Sequence, residues 1–320
     1  MSRPAPPLLF ALGASRPLGA AVARALGVEL AAHEEREFED GEHKARSLVG
    51  VEGRDAYAVH SLHGEPGASV NDKLLRLLFF LGSLRDAGAR RVTAVAPYLA
   101  YARKDQRSKP RDPITTRYVA AFFEAVGAAC VVTVDVHNVA AFENAFRCRT
   151  VNLEAADVLV ERIAALVGEA PAAVVSPDAG GIKRADRFRA RLETALGRPV
   201  AAGFVEKYRS EGKLRGDELA GDVAGRVAVI VDDLVSAGHT LERAARACRA
   251  RGASRVLAAA THGVFAGPAA EVLGASPIER LVVADTIPAG PVDAALPGRI
   301  ERVTVAPLLA EAIARLHGGD

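Results

Sequence analysis

Short apolar runs of strand length alternate along this chain with longer segments whose apolar residues recur at helical spacing. The strand-like runs are Leu8–Gly13, Ala56–Ser61, Arg91–Pro97, Cys130–Asp135, Ala172–Pro177, Val227–Asp232, Arg255–Thr261 and Arg280–Asp285. Several are apolar at successive positions, the signature of strands buried on both faces. Helical spacing runs through Leu18–Leu26, Val70–Ala87, Thr116–Val126, Asn152–Val167 and Leu241–Arg251. Such alternation predicts an α/β fold with right-handed crossovers and mainly parallel sheets flanked by helices. Ligands of such sheets collect at the carboxyl ends of strands, where the unusual polar residues of this chain lie.

With 320 residues, the chain exceeds one ordinary core, so two domains are expected. A boundary near residue 150 gives domains 1–150 and 151–302. The last helix, Pro307–Leu316, lies in a segment 303–320 expected to return to the first domain. Gly88-Ala89-Arg90-Arg91-Val92 is echoed by Gly252-Ala253-Ser254-Arg255-Val256, each turning from helix to strand with glycine ending the helix. A formal charge of +2 demands neither nucleic acid nor an anionic membrane as partner. The three cysteines, Cys130, Cys148 and Cys248, fit neither a disulfide framework nor a zinc knuckle, so a cytoplasmic location is expected. The apolar run Leu8–Ala14 has strand length and no basic lead, and no run is long enough to span a bilayer.

The most informative segment is Val229-Ile230-Val231-Asp232-Asp233-Leu234-Val235-Ser236-Ala237-Gly238-His239-Thr240. A buried strand leads to two carboxylates, and then to small residues that open a helical pattern. Small residues let N–H groups curl around an anion at a helix N-terminus, while carboxylates accept hydrogen bonds from sugar hydroxyls. Together they suit a sugar phosphate, although an acidic N-cap on a plain strand–helix turn would share the pair. Asp135-Val136-His137 ends another strand and fits either a metal or phosphate site or a hydrogen-bonded structural histidine. Asp178, in Val175-Ser176-Pro177-Asp178-Ala179-Gly180-Gly181, repeats that placement, with glycines permitting close backbone approach. Arg103-Lys104-Asp105-Gln106-Arg107 puts dense positive charge after a strand, suited to polyphosphate or to plain solvation. The polar stretch Glu206–Glu218 lacks a clear period and is expected to be an excursion between strands, either a lid or a surface loop. Lys207 and Arg209 stand where it leaves the preceding strand. Phe38-Glu39-Asp40-Gly41-Glu42 carries an Asp-Gly turn signature, and His262 follows a strand end.

In their order, Phe38–Glu42, Arg91–Asp105, Val134–His137, Val175–Gly181, Lys207–Arg209, Val229–Thr240 and Thr261–Gly263 resemble the motifs of the PRPP synthetases, the ribose-phosphate pyrophosphokinases, over nearly the whole chain. That resemblance implies two domains of the type I phosphoribosyltransferase fold with the active site between them. It implies the reaction of ATP with ribose 5-phosphate to give PRPP and AMP. By the same likeness, Arg103 and Lys104 fall where the family binds ATP, and His137 and Asp178 where it holds Mg²⁺–ATP. Asp232 and Asp233 match the pair on the ribose hydroxyls; Ser236, Ala237, Gly238 and Thr240 match the 5-phosphate cradle. Lys207 and Arg209 match the catalytic lid pair. Phe38, Asp40 and Glu42 match a loop that reaches adenine from a neighbouring subunit, which implies a homo-oligomer.

Three departures stand out. Ser236 replaces a frequent acid, Lys104 replaces a frequent glutamine, and Gln106–Asp112 differs from the commonest version, so no regulation by phosphate or ADP is carried over. Two other readings share some motifs: a phosphoribosyltransferase that consumes PRPP, and a non-catalytic subunit associated with a synthetase. A PRPP-responsive DNA-binding regulator lacks its expected helix-turn-helix before the first strand.

Overall fold

The computed structural model describes residues 5–210 and 213–319, with residues 206–210 and 213–217 as backbone alone. In chain order the first elements are β1 (Leu8–Ala11), α1 (Arg16–Leu26), β2 (His33–Glu37), β3 (His43–Ser47), β4 (Asp55–Val59) and α2 (Val70–Asp86). They are followed by β5 (Arg91–Val95), α3 (Thr115–Ala125), β6 (Cys130–Val134), α4 (Val139–Ala145) and β7 (Arg149–Leu153). Next come α5 (Ala156–Val167), β8 (Ala172–Ser176), α6 (Ile182–Leu196), β9 (Ala201–Ser210), β10 (Lys213–Gly221) and β11 (Val227–Val235). The chain ends with α7 (His239–Ala250), β12 (Arg255–Gly263), α8 (Ala269–Ala275), β13 (Arg280–Ala284), α9 (Pro291–Ala295), β14 (Ile300–Val303) and α10 (Ala306–Gly318). Two compact units result: Met1–Glu154 with Thr286–Pro288 and Val305–Asp320, and Ala155–Asp285 with Ala289–Thr304.

The first unit holds a sheet of order β1-β4-β5-β6-β7, parallel throughout. The second holds β10-β9-β8-β11-β12-β13-β14, parallel except where β10 returns antiparallel to β9. Every residue of β4, β6 and β8 is buried, which requires helices on both faces and accounts for the unbroken apolar runs. No described helix is long and apolar enough to cross a membrane.

The glycine echo is a repeated helix stop. Gly88 (φ +86°) and Gly252 (φ +83°) adopt left-handed backbone. Their N–H groups donate to Arg85 and Arg249 carbonyls, and the next residues, Ala89 and Ala253, reach back to Leu84 and Cys248. The carbonyls of the two glycines then accept from Gly53 and Gly225, so each helix end is tied to the turn before the neighbouring strand in the same way.

Within the first unit, α10 buries Leu309, Ala312, Ile313 and Leu316 and packs against α1. Its C-terminus is fastened by polar contacts: Arg91 Nη2 donates to the Leu316 carbonyl at 3.0 Å, and His317 Nδ1 meets Asp55 Oδ2 at 3.0 Å. Asp55 is only 2% exposed and also accepts from Arg90 and Arg91. Burial by itself would raise its carboxyl; the hydrogen bonds from Arg91 and Arg90 win and hold it well below the usual carboxylate range.

The structure departs from the sequence expectations in several places. The helix expected over Asn152–Val167 begins at Ala156, because Asn152 and Leu153 pair with β6 as the end of β7. The excursion expected over Glu206–Glu218 is an antiparallel pairing of β9 with β10, irregular between Leu214 and Asp217. The strand expected to end at Asp232 continues to Val235, paired with β12. Strands β2 and β3, HEERE and HKARS, carry too few apolar residues to announce themselves, yet they pair with each other and pack on α2.

Candidate active site

In the second unit the chemistry gathers where β8 and β11 lie side by side. Strand β8 pairs with Val227–Ile230 and stops at Ser176, whereas β11 runs on beside β12. Asp232 and Asp233 therefore sit beyond the last β8 pairing, at the carboxyl end of the sheet. Asp233 is 3% exposed and Asp232 is half-buried. Asp232 Oδ1 accepts from the Asp233 N–H at 2.9 Å. Arg184 Nη1, from the first turn of α6, lies 3.3 Å from Asp232 Oδ1 and 3.4 Å from Asp233 Oδ1. Burial, together with the Asp233 carboxylate, pushes Asp232 well above the usual carboxylate range, and Arg184 opposes that push. Arg184 is a residue the sequence reading missed. Its signal was positional: a cation in the first turn of a helix that starts directly after the Asp178-Ala179-Gly180-Gly181 turn.

The loop after β11 forms a cradle. Gly238 is left-handed at φ +86° and caps α7, and its carbonyl accepts from the Glu242 N–H at 2.9 Å. The loop is braced from outside, since Phe265 and Ala266 donate to the carbonyls of Val235 and Ser236. No N–H from Ser236 to Thr240 donates to another described residue, as expected of a helix start whose first N–H groups are left for an external acceptor. Ser236, Ala237 and Thr240 are half-buried and Gly238 is buried.

Asp178 follows β8 and is half-buried. Its Oδ1 accepts from the Gly181 N–H at 3.1 Å, while Ser176 Oγ donates to its carbonyl at 2.6 Å. A Cβ at Gly181 would stand 2.7 Å from Ser176 Oγ, which is why a glycine closes this turn. A cavity of about 380 Å³ between α6 and the β8–β10 edge shares Ser176 with this turn but none of Asp178, Asp232 or the cradle residues.

In the first unit, Asp135 at the end of β6 holds φ +42°, a conformation L-residues rarely adopt. Its N–H donates to the Leu153 carbonyl at 2.8 Å, and the Val136 N–H to Asn152 Oδ1 at 2.8 Å. These bonds pin the turn that carries the exposed His137. Asn138 caps α4 and reaches Asp105 Oδ2 at 2.7 Å, which ties the His137 turn to the loop of Arg103 and Lys104. Within that loop Lys104 Nζ pairs with Asp112 Oδ2 at 2.8 Å, so its charge is already partnered. Arg103 is exposed and makes no ion pair with a described residue.

Phe38–Glu42 forms the tip of the β2–β3 hairpin. The Phe38 N–H donates to Glu42, the Gly41 N–H to Phe38, and the Glu42 N–H to Asp40 Oδ1 at 3.1 Å. Phe38 is 38% exposed beneath the Arg36 guanidinium, 4.8 Å from its ring centre. No hydrogen bond or ion pair among the described residues joins this tip to the Arg103 or His137 loops. Lys207 and Arg209 are placed on β9 by their backbone; their side chains lie outside the described residues.

Among the described residues, no cluster of three or more His, Cys, Asp or Glu side chains could hold a metal on its own. Asp178, with one carboxylate oxygen left by the Gly181 contact, fits a hard cation that takes most of its ligands from substrate phosphates and water.

Residues 8–127 match the N-terminal domain of ribose phosphate pyrophosphokinase, and residues 213–320 match the phosphoribosyl synthetase-associated domain. The chain is 38% identical over 310 residues to the ribose-phosphate pyrophosphokinase of Hyphomonas neptunium, covering 96% of each. It is 37% identical over 283 residues to that of Aquifex aeolicus, covering 88% of this chain and 86% of the relative. Its fold superposes on the crystal structure of phosphoribosylpyrophosphate synthetase from Mycobacterium smegmatis with a TM-score of 0.87 at 31% identity, covering 98% of this chain and 99% of that one. With the two carboxylates and the N–H cradle at one sheet end, these matches show that the chain belongs to the ribose-phosphate pyrophosphokinase family.

Proposed function

We propose that this chain transfers the pyrophosphoryl group of ATP to the 1-hydroxyl of ribose 5-phosphate, forming PRPP and releasing AMP. The observation that carries this reading is the juxtaposition of Asp232 and Asp233 with a cradle of N–H groups left without described acceptors. Ribose hydroxyls donate to the carboxylates while the 5-phosphate accepts from Ser236 to Thr240. This fixes the sugar at both ends and leaves its anomeric hydroxyl as the nucleophile.

By the family likeness, Arg103 and Lys104 are assigned to the nucleotide, and His137 and Asp178 to its metal-bound phosphates. Lys104, already paired with Asp112, acts more as a brace of that loop than as a second phosphate cation. Mg²⁺, when bound through Asp178 and the phosphate oxygens, would screen the negative charge there. The side chains of this protein mainly position the reactants and neutralise charge, since phosphoryl transfer asks little covalent work of the enzyme. Lys207 and Arg209 supply the remaining cations. Phe38, Asp40 and Glu42 sit on a tip unbonded to the Arg103 loop of their own chain, which supports their service to the adenine of a neighbouring subunit in a homo-oligomer. A cytoplasmic setting is assigned on the three cysteines, all free of disulfides.

The test is a coupled assay for AMP release from ATP and ribose 5-phosphate without any nucleobase. Lys207→Ala is expected to lower kcat by about two to three orders of magnitude with little change in either KM. Wild-type turnover in that variant would remove Lys207 from the reaction. AMP-free, base-dependent consumption of PRPP would replace the whole reading with a phosphoribosyltransferase, and a protein inert alone but altering a second synthetase would make it a regulatory subunit.

A further inference from the structure

We propose that Arg184 is a positioning residue that holds Asp232 and Asp233 side by side and eases their ionisation as acceptors for the ribose hydroxyls. This rests on the reading of that pair as the sugar site. One nitrogen, Nη1, serves both carboxylates, at 3.3 Å and 3.4 Å, from a side chain 27% exposed against acids 18% and 4% exposed. Two adjacent carboxylates taken out of water cannot both ionise cheaply, and the first answer of such a pair is to keep a proton. A protonated acid presents a donor where a sugar hydroxyl needs an acceptor. A guanidinium bridging the two opposes that retention of a proton, and it cannot lose its own charge.

Other charged and titratable groups surround the pair. Asp178 follows the neighbouring β8 and carries negative charge, and Lys183 stands beside Arg184 on α6. His262 on β12 is in register with Leu234, and His239 and Glu242 open α7. Of these elements, α6 supplies the cation in contact with both acids. Its placement is also tied to the other half of the site. Helix α6 starts directly after the Asp178 turn, and Arg184 Nη1 lies 3.8 Å from where a Gly181 Cβ would stand.

The test is calorimetric binding of ribose 5-phosphate between pH 6 and 9 to wild type, Arg184→Met and Arg184→Lys, with the two KM values measured in parallel. Arg184→Met is expected to weaken sugar binding about tenfold or more at pH 7, since an adjacent opposite charge moves a carboxyl by about one unit or more. That deficit shrinks as pH rises and the pair ionises unaided, while the KM for ATP changes far less. Arg184→Lys restores most of the wild-type pH profile because the charge is kept. Should the methionine variant fail to fold, Arg184→Gln removes the charge with a polar side chain and carries the same expectation. A sugar-binding deficit that is constant across pH, or absent, overturns the role of Arg184. A wild type that binds no ribose 5-phosphate overturns the sugar-site reading and this inference with it.

Discussion

Gly238→Ala tests the cradle most directly. Gly238 holds φ +86°, and a Cβ built there would stand 3.1 Å from both Cγ and Cδ2 of Leu273, a buried core residue on α8. Two costs follow. A non-glycine residue in left-handed backbone costs about 1–2 kcal/mol. Pressing a methyl group into a packed neighbour costs about 1–3 kcal/mol more, depending on how far Leu273 can give. A total near 3 kcal/mol is the working value. If the loop relieves it by leaving the cradle conformation, the competent fraction falls, and ribose 5-phosphate binds about 100-fold more weakly. If the loop stays, the same energy appears as lost thermal stability. Calorimetric titration with the sugar phosphate and a thermal melt on one preparation therefore account for the whole cost. Adding Leu273→Ala removes the contact but leaves the backbone strain, so the double variant should regain about tenfold in sugar affinity relative to Gly238→Ala. An alanine variant with unchanged sugar affinity and unchanged melting would refute the cradle geometry. Equal losses for sugar and nucleotide would refute the assignment of the loop to the 5-phosphate.

Two further outcomes follow from charge. Asp55→Asn leaves two arginines and His317 facing a neutral amide, and should destabilise the first unit by about 3 kcal/mol, or about 6–12 °C in melting temperature. Because the folded Asp55 carboxyl is depressed, its contribution is full above the ordinary aspartate pKa of about 4 and is lost as pH falls. The gap between wild type and variant in urea unfolding should therefore narrow below pH 4, and a gap constant down to pH 3 would contradict the ion-pair account. Asp232 has the opposite sign. Its folded carboxyl is raised, so the native state holds a proton that the unfolded chain releases, and stability declines as pH rises above about 4. Asp232→Asn should thus melt above wild type at pH 8, approach it at pH 5, and lose PRPP formation; a variant less stable than wild type at pH 8 would argue against a strained acid pair.

What the chain's pattern made legible was the material of the sheets and the chemistry at their ends. Apolar runs such as Cys130–Val134 and Ala172–Ser176 are strands because nothing else buries them on both faces, and Asp135, Asp178 and Asp232 fall at or near their ends. Gly238 and the small residues around it announced a left-handed turn at a helix start for the same local reason: backbone freedom is a property of the residue itself. Strands β2 and β3 were missed because their register comes from pairing with each other and packing on α2, which charge-rich sequences do not signal. Contacts between distant elements were invisible as well. Arg184 meets Asp232 and Asp233 because β8 and β11 are neighbours in the sheet although residues 177–226, helix and hairpin, separate them. The pairing of Lys104 with Asp112 came only with the folding of its loop, and His317 acquired a role when α10 came to rest beside Asp55. Periodicity and backbone preference are written residue by residue, so the sequence alone determined them. Which charges neutralise one another depends on strand order and helix placement, and that was decided only when the chain packed.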